Sequence, residues 1–483
     1  MANQVDYRDP TPNNFPQDYD QTKVDSRVKL RSDSIKHKQK GVDTREAMYQ
    51  ALEIGSVTAN EARETAINTA SRQDETEKIV NEGIGAFTED SEVKIARDGH
   101  ANLLEKERDQ DTRIATTDIT DYNAIAGFIE DDTQEVGGGI PNYVVDMLDE
   151  LATPDTTHFN FGHITDDHNQ LSTYAPNSLR HYASIAAASY KLGLDVIVSN
   201  GDNANGWFDR DEILLEEKQA TNILFDRANP NTDVFISMGN HDLGVMQNGK
   251  TKPEQCISVD EFKSIIRANG AYGEIRDGNS TYCYKDYPAK KVRLIQLDSF
   301  DLPETTNADG TYKYNFLQTS AYRQAQLNWL ANTALKLPDK NWQVVIFTHC
   351  PLPNTFEVVS GGSPLTQINS EILIGVINAF QNGNTYHASS NDELSVDFEC
   401  DFTKQGAGVL IGLITGHIHK DGQLVYKGIN CIETAASLCY SGDPNRVADS
   451  RTEDCWDIFS VDTQNRSIHV QRFGYGEDRT FTY

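Results

Sequence analysis

The stretch HFNFGHITDDH, residues 158–168, sets an apolar run directly before three side chains of metal-binding type, Asp166, Asp167 and His168. Such a short apolar run reads as a strand covered on both faces. The same grammar recurs in LDVIVSNGD (194–202), DVFISMGNHD (233–242), WQVVIFTH (342–349) and GVLIGLITGHIH (408–419), and KVRLIQLD (291–298) reads as a further strand. Helix-period segments fall between these runs, at 178–192, 212–227, 258–268 and 321–335. Strand and helix in alternation predict an α/β layered core. Later strand-like pieces at 428–435, 457–461 and 467–472 are expected to form a second sheet packed on the first.

Five of the runs deliver their polar residues at the C-terminal end, where open α/β sheets build sites. The candidate metal ligands are Asp166, His168, Asp202, Asn240, His349, His417 and His419. Asp166 and His168, like His417 and His419, lie two apart, so extended backbone would put each pair on one face. That alternation turns Asp167 away, to the surface or to a supporting position. Gly201, Gly239 and Gly416 allow tight turns and close approach of backbone. Imidazole mixed with carboxylate suits a first-row transition ion better than magnesium or calcium, which prefer oxygen shells. Manganese or iron is the first expectation, and zinc also fits. His158 and His163 belong to the first strand and are expected in the core, and Cys350 is expected as a small buried residue. Trp207 follows Asp202 and reads either as loop packing or as a stacking surface for substrate.

The ordered set D-x-H, G-D, G-N-H-D, H and G-H-x-H resembles the calcineurin-like metallophosphoesterases over about 155–483. The resemblance implies two packed mixed β-sheets flanked by helices. It implies that Asp166, His168 and His419 bind one divalent ion, that Asn240, His349 and His417 bind a second, and that Asp202 bridges them. His241 would then be catalytic, as general acid or as a group stabilising the transferred phosphoryl, with Asp242 orienting it or a ligand imidazole. Paired cations of this kind activate water and clamp phosphoryl oxygens, so the expected activity is phosphoester hydrolysis.

The segment before this domain has another texture. Residues 1–46 form an arm ending in a basic segment, with Lys23, Arg27, Lys29, Arg31, Lys36, Lys38 and Lys40, read either as a solvated helix face or as a docking surface for an acidic partner. From Met48 to Val80 a 4-3-4-3 spacing of small and polar residues marks 47–115 as a helical region, either a coiled coil or a single long surface helix. A seam so poor in Leu needs support from neighbours. Gly137, Gly138, Gly139 and Pro141 place a linker over 116–154. The stretches 27–53 and 91–111 resemble the attachment regions of tail or baseplate proteins from phages of Gram-positive bacteria, and QRFGYGEDRTFTY (471–483) resembles the close of phosphoesterase domains on such proteins. That resemblance implies a homotrimer in the virion, tail or baseplate proteins as partners, and a host wall polymer such as teichoic acid as substrate. An intracellular phosphodiesterase and a receptor-binding module with a vestigial site are the alternatives.

A formal charge of −30 argues against nucleic acid as a partner, because most of the surface would repel phosphate. The opening MANQVDYRDPTPNN does not resemble a signal peptide, and no apolar stretch is long enough to insert in a membrane. Seven scattered cysteines without C-x-x-C spacing indicate neither a zinc knuckle nor a disulfide framework, which fits synthesis in a reducing cytoplasm.

Overall fold

In the computed structural model, the described residues are Thr22, 140–170, 177–244, 251–356, 359–360, 363–391, 393–439 and 444–483. The arm and the heptad region, 1–115, lie outside them apart from Thr22. In chain order the main strands are β1 (Phe159–Ile164), β2 (Val196–Ser199), β3 (Asp233–Ile236), β4 (Ile275–Arg276), β5 (Cys283–Tyr287), β6 (Val292–Gln296), β7 (Gln343–Phe347), β8 (Val409–Thr415), β9 (Gly422–Tyr426), β10 (Ile429–Glu433), β11 (Cys455–Asp462), β12 (Ser467–Gly474) and β13 (Arg479–Thr482). The helices are α1 (Asn142–Glu150), α2 (Ser178–Leu192), α3 (Arg210–Arg227), α4 (Val259–Ile265), α5 (Gln324–Trp329) and α6 (Ser370–Asn382).

Two mixed sheets result, ordered β13-β12-β11-β1-β2-β3 and β9-β10-β8-β7-β6-β5-β4. Each has a parallel centre: β1, β2 and β3 in one, β6, β7, β8 and β10 in the other. Antiparallel strands extend the edges, as where β11 joins β1. The two sheets pack face to face. Phe159 and Phe161 of β1, Val196 and Val198 of β2 and Phe235 of β3 meet Val292, Leu294, Val345, Phe347 and Ile411 of the other sheet. Full burial of each such side chain contributes about 1.5–3 kcal/mol. The intervening residues, Ile164, Ile197, Val234 and Ile236, pack outward under α1, α2 and α3. Val344 and Ile346 pack the other way, under α5 and α6. The period of two survives, but both faces are covered, which is why these strands read as unbroken apolar runs.

Several expectations need correction. The late strands do not form the second sheet by themselves: β10 joins the seven-stranded sheet, whereas β11 and β12 complete the sheet of β1. The expected linker over 116–154 ends in α1, whose buried Val144, Met147 and Leu148 belong to the core of the domain. The helix expected over 321–335 begins at Gln324 and turns into a π-helical segment at Leu330–Ala334. α6 and the hairpin Thr385–Ser390/Val396–Asp401 were not foreseen. α3 begins at Arg210 because Asp209 caps it, its carboxylate accepting from the amides of Asp211 and Glu212. No helix among the described residues is long and apolar enough to cross a membrane. All seven cysteines are free and buried.

Candidate dinuclear metal centre

The seven candidate ligands come together at the C-terminal ends of strands from both sheets. β1 leads into Asp166 and His168, β2 into Asp202 and β3 into Asn240, and β7 and β8 lead into His349 and into His417 and His419. Three groups of donor atoms lie within 4.8 Å of one another: Asp166 with His168 and His419, Asp202 with His349 and His417, and His168 with Asp202 and His241. His168 Nε2 is 3.2 Å from His419 Nε2, which is itself 3.2 Å from Asp166 Oδ1. Asn240 Oδ1 stands 2.8 Å from His417 Nδ1 and 3.2 Å from His349 Nε2. Asp202 Oδ2 lies between the groups, 3.7 Å from His168 Nε2 and 3.3 Å from His349 Nε2.

These side chains do not converge through strand alternation, as expected for the pairs two apart. Asp166, His168, Asp202, His417 and His419 all have left-handed backbone, with φ between 50° and 76°. Non-glycine residues adopt this region at a cost, and it clusters at sites where surrounding structure enforces it. The enforcement is visible. The amide of Asp166 donates to the carbonyl of Gly201 and that of His168 to the carbonyl of Asp202, at 3.0 and 2.9 Å. The amide of His417 donates to Asp166 Oδ2 at 2.8 Å. Glycine makes room for this crowding: a Cβ on Gly239 would lie 2.2 Å from Asp202 Oδ1, and one on Gly201 2.6 Å from His349 Nδ1.

Electrostatics set the resting protonation. Burial alone would depress His349, but Asp202 and Asp166 hold it at about 10. Burial opposes ionisation of Asp166 and Asp202, yet the neighbouring imidazoles, His349 first in each case, keep both below the ordinary carboxylate range. His168 and His417 are pushed down to about 3, by burial and then by His241 and His349 respectively. Two anionic carboxylates beside His168 and His417, both of which favour the neutral form, are donors suited to cations, and a bound cation would take the place of the proton that the carboxylates hold on His349. His168 Nε2 and His419 Nε2 stand 3.2 Å apart beside Asp166 Oδ1, a spacing that lets both nitrogens serve one divalent ion.

His241 donates its backbone N–H to Asp202 Oδ1 at 2.8 Å and sets Nδ1 2.7 Å from the carbonyl of Asn205. A carbonyl only accepts, so Nδ1 carries the proton and Nε2 is left for exchange. Asp242 differs from its expected catalytic role. Its carboxylate accepts from the amides of Asp202, Asn203, Ala204 and Gly239 at 2.7–3.2 Å, and none of its described hydrogen bonds goes to an imidazole. It positions the loop that carries Asp202. Asp167 turns away from the ligands and pairs with buried His181 at 2.7 Å. His163 is buried against Phe347 and Cys350 is buried, as packing residues do, whereas His158 lies just before β1, half-buried, and pairs with Ser460 outside the core. Trp207 is exposed, 6.2 Å from the ring of His241.

Sequence reasoning missed two supports. Glu433 ends β10 and accepts from the amide of Ile418 at 3.1 Å, pinning the turn between His417 and His419. It stands at a strand end like the ligands, so the same rule could have found it. His181 lies in no motif and carried no signal.

Residues 159–421, more than half of the chain, match the calcineurin-like phosphoesterases. The chain belongs to the calcineurin-like phosphoesterase family. Its members use two divalent metals, and this chain is a metal-dependent phosphoester hydrolase of that family. Among solved structures it is similar to a dimetal phosphatase from Danio rerio, at 18% identity and a TM-score of 0.43, over 67% of this chain and 99% of that one. It is also similar to a purple acid phosphatase from yellow lupin (Lupinus luteus) seeds, at 11% identity and a TM-score of 0.40, over 67% of this chain and 53% of that one. No curated protein matches the chain.

Proposed function

We propose that this calcineurin-like phosphoesterase is a phosphodiesterase carried on a phage tail or baseplate, where it cleaves host wall polymers joined by phosphodiesters, such as teichoic acid. The observation that carries the hydrolytic part is the place of Asp202, between His168 on one side and His349 on the other. Asp166, His168 and His419 would hold one ion, Asn240, His349 and His417 the other, and Asp202 both. Manganese or iron suits this mixture of oxygen and imidazole nitrogen, and zinc also fits. When bound, the pair of ions supplies Lewis-acid activation of water and of the phosphoryl group. The chain's own part is positioning and proton transfer. His241, its Nδ1–H held by the Asn205 carbonyl, would act as imidazolium, passing the second proton from Nε2 to the leaving oxygen and becoming neutral. Asp242 holds the loop that aims Asp202, and Glu433 holds the loop of His417 and His419.

The tail reading rests on the sequences 27–53, 91–111 and 471–483. The N-terminal region, 1–115, would bind tail or baseplate proteins and join three copies through 47–115. Such an enzyme acts outside the host cell, on a polymer that offers many equivalent bonds, so several linked sites need only weak binding each. Purified wall teichoic acid or lipoteichoic acid from a susceptible host, incubated with the manganese-loaded protein, should release small phosphate-containing fragments. Intact polymer alongside rapid hydrolysis of cyclic nucleotides or simple diesters would replace this reading with an intracellular phosphodiesterase. No turnover of any diester would favour a receptor-binding module.

A further inference from the structure

Three rings step outward from the candidate metal centre. His168 is buried, His241 stands 4.5 Å from it with ring planes at 88°, and Trp207 follows 6.2 Å beyond at 65°. Trp207 is 46% exposed and its neighbour Phe208 39%, the only adjacent pair among the exposed large hydrophobic residues of the described chain. Both sides of this pair are anchored. Before it, the amide of Asn205 donates to the carbonyl of Asn169 at 2.9 Å, Asn205 Nδ2 donates to Gln170 Oε1 at 2.8 Å, and the Asn205 carbonyl receives His241 Nδ1. After it, Asp209 caps α3. One short loop therefore fixes the ring that exchanges the proton and presents an exposed indole beside it. An exposed indole whose loop is anchored on both sides, and which stands beside His241, is placed to meet whatever occupies the site.

We infer that Trp207 is a specificity-determining residue of this phosphoesterase, stacking on a ring in the leaving alcohol of the substrate. The inference rests on the hydrolytic reading, because the position of Trp207 beside His241 identifies the leaving-group side. The ligand chemistry is an alcohol bearing a ring with an apolar face, aryl or glycosyl. An open-chain polyol has no such face. Within the proposed wall-polymer reading, links next to a ring-substituted unit would be preferred over bare polyol links.

The other three tryptophans, Trp329, Trp342 and Trp456, are buried, so Trp207 dominates the emission open to acrylamide. The experiment uses the full chain loaded with manganese, excited at a wavelength selective for indole. Phenyl methylphosphonate, its glucosyl counterpart and its open-chain glyceryl counterpart are compared as shielding ligands. Shielding by a ring-bearing probe and not by the glyceryl one is expected, and the stronger of the two ring-bearing probes identifies the source of the ring. Equal shielding by all three, or by none, would overturn the inference. In parallel, Trp207→Ala should lower the preference in kcat/KM for a phenyl over a glyceryl diester by about tenfold, mostly through KM, as one aromatic stack would. Trp207→Tyr should restore most of it, and an unchanged preference in Trp207→Ala counts against the inference. Ring-selective shielding without turnover of any diester would leave the platform standing and remove the hydrolytic reading. Turnover without selective shielding would do the reverse.

Discussion

Asp202 Oδ2 stands 3.3 Å from His349 Nε2, and this contact joins the two sheets at their C-terminal ends. Asp202 follows β2 and His349 follows β7, so the centre can assemble only when the sandwich is closed. The glycines beneath both residues are part of the same construction.

Gly239→Ala tests that closeness. Its new Cβ would fall 2.2 Å from Asp202 Oδ1 and 2.3 Å from Asp202 N, and the backbone on each side is tied to Asp242. Displacing Asp202 by about an ångström should lower diester turnover on the order of 10²-fold while thermal stability falls far less. Turnover within a few-fold of wild type would show that the loop has slack.

His241→Ala separates proton transfer from metal holding. With Nε2 as the exchanging nitrogen, the variant should keep its metals yet lose on the order of 10²–10⁴ in kcat toward alkyl leaving groups. The loss should shrink as the leaving alcohol becomes more acidic. An equal loss for aryl and alkyl diesters would assign the residue to phosphoryl binding, and loss of metal would make it a ligand.

His181 gives a prediction in pH. It lies 2.7 Å from Asp167 and 3.4 Å from Asp454, and although burial lowers its pKa, those carboxylates hold it at about 10. The unfolded imidazole titrates near 6.5. A folded value above the unfolded one means that the protonated pair stabilises the fold fully below about pH 6.5 and is lost as pH rises through about 10. His181→Gln should therefore cost about 3–5 kcal/mol in urea unfolding near pH 6 and progressively less toward pH 10. A penalty that is flat in pH, or that grows toward pH 10, contradicts the pairing.

Much of this was legible in the sequence because both faces of the central strands are buried. That condition writes β1, β2, β3, β7 and β8 as apolar runs, and ligand-type residues at their ends mark the site. The backbone at those ends was not legible. Left-handed φ at Asp166 or His417 is imposed by hydrogen bonds to residues far along the chain, such as Gly201 and Asp166 itself. The role of Asp242 was hidden for the same reason, since its partners are backbone amides of another loop. α1 was hidden by the Gly-Gly-Gly-Ile-Pro before it, which reads as a linker although Val144, Met147 and Leu148 bury a face. α6 does carry a helical period, with Glu371, Gly375, Asn378 and Asn382 spaced 4-3-4 on its less buried side, so it was legible in principle.

The central claim is that seven side chains hold two divalent ions and that Asp202 serves both. The most direct measurement is the metal content per chain of wild type and Asp202→Ala after saturation with manganese and exhaustive dialysis. Two ions in the wild type, with both sites depleted in the variant and diester turnover abolished, is the result expected. A single ion in the wild type, or an unchanged content in Asp202→Ala, would contradict the account.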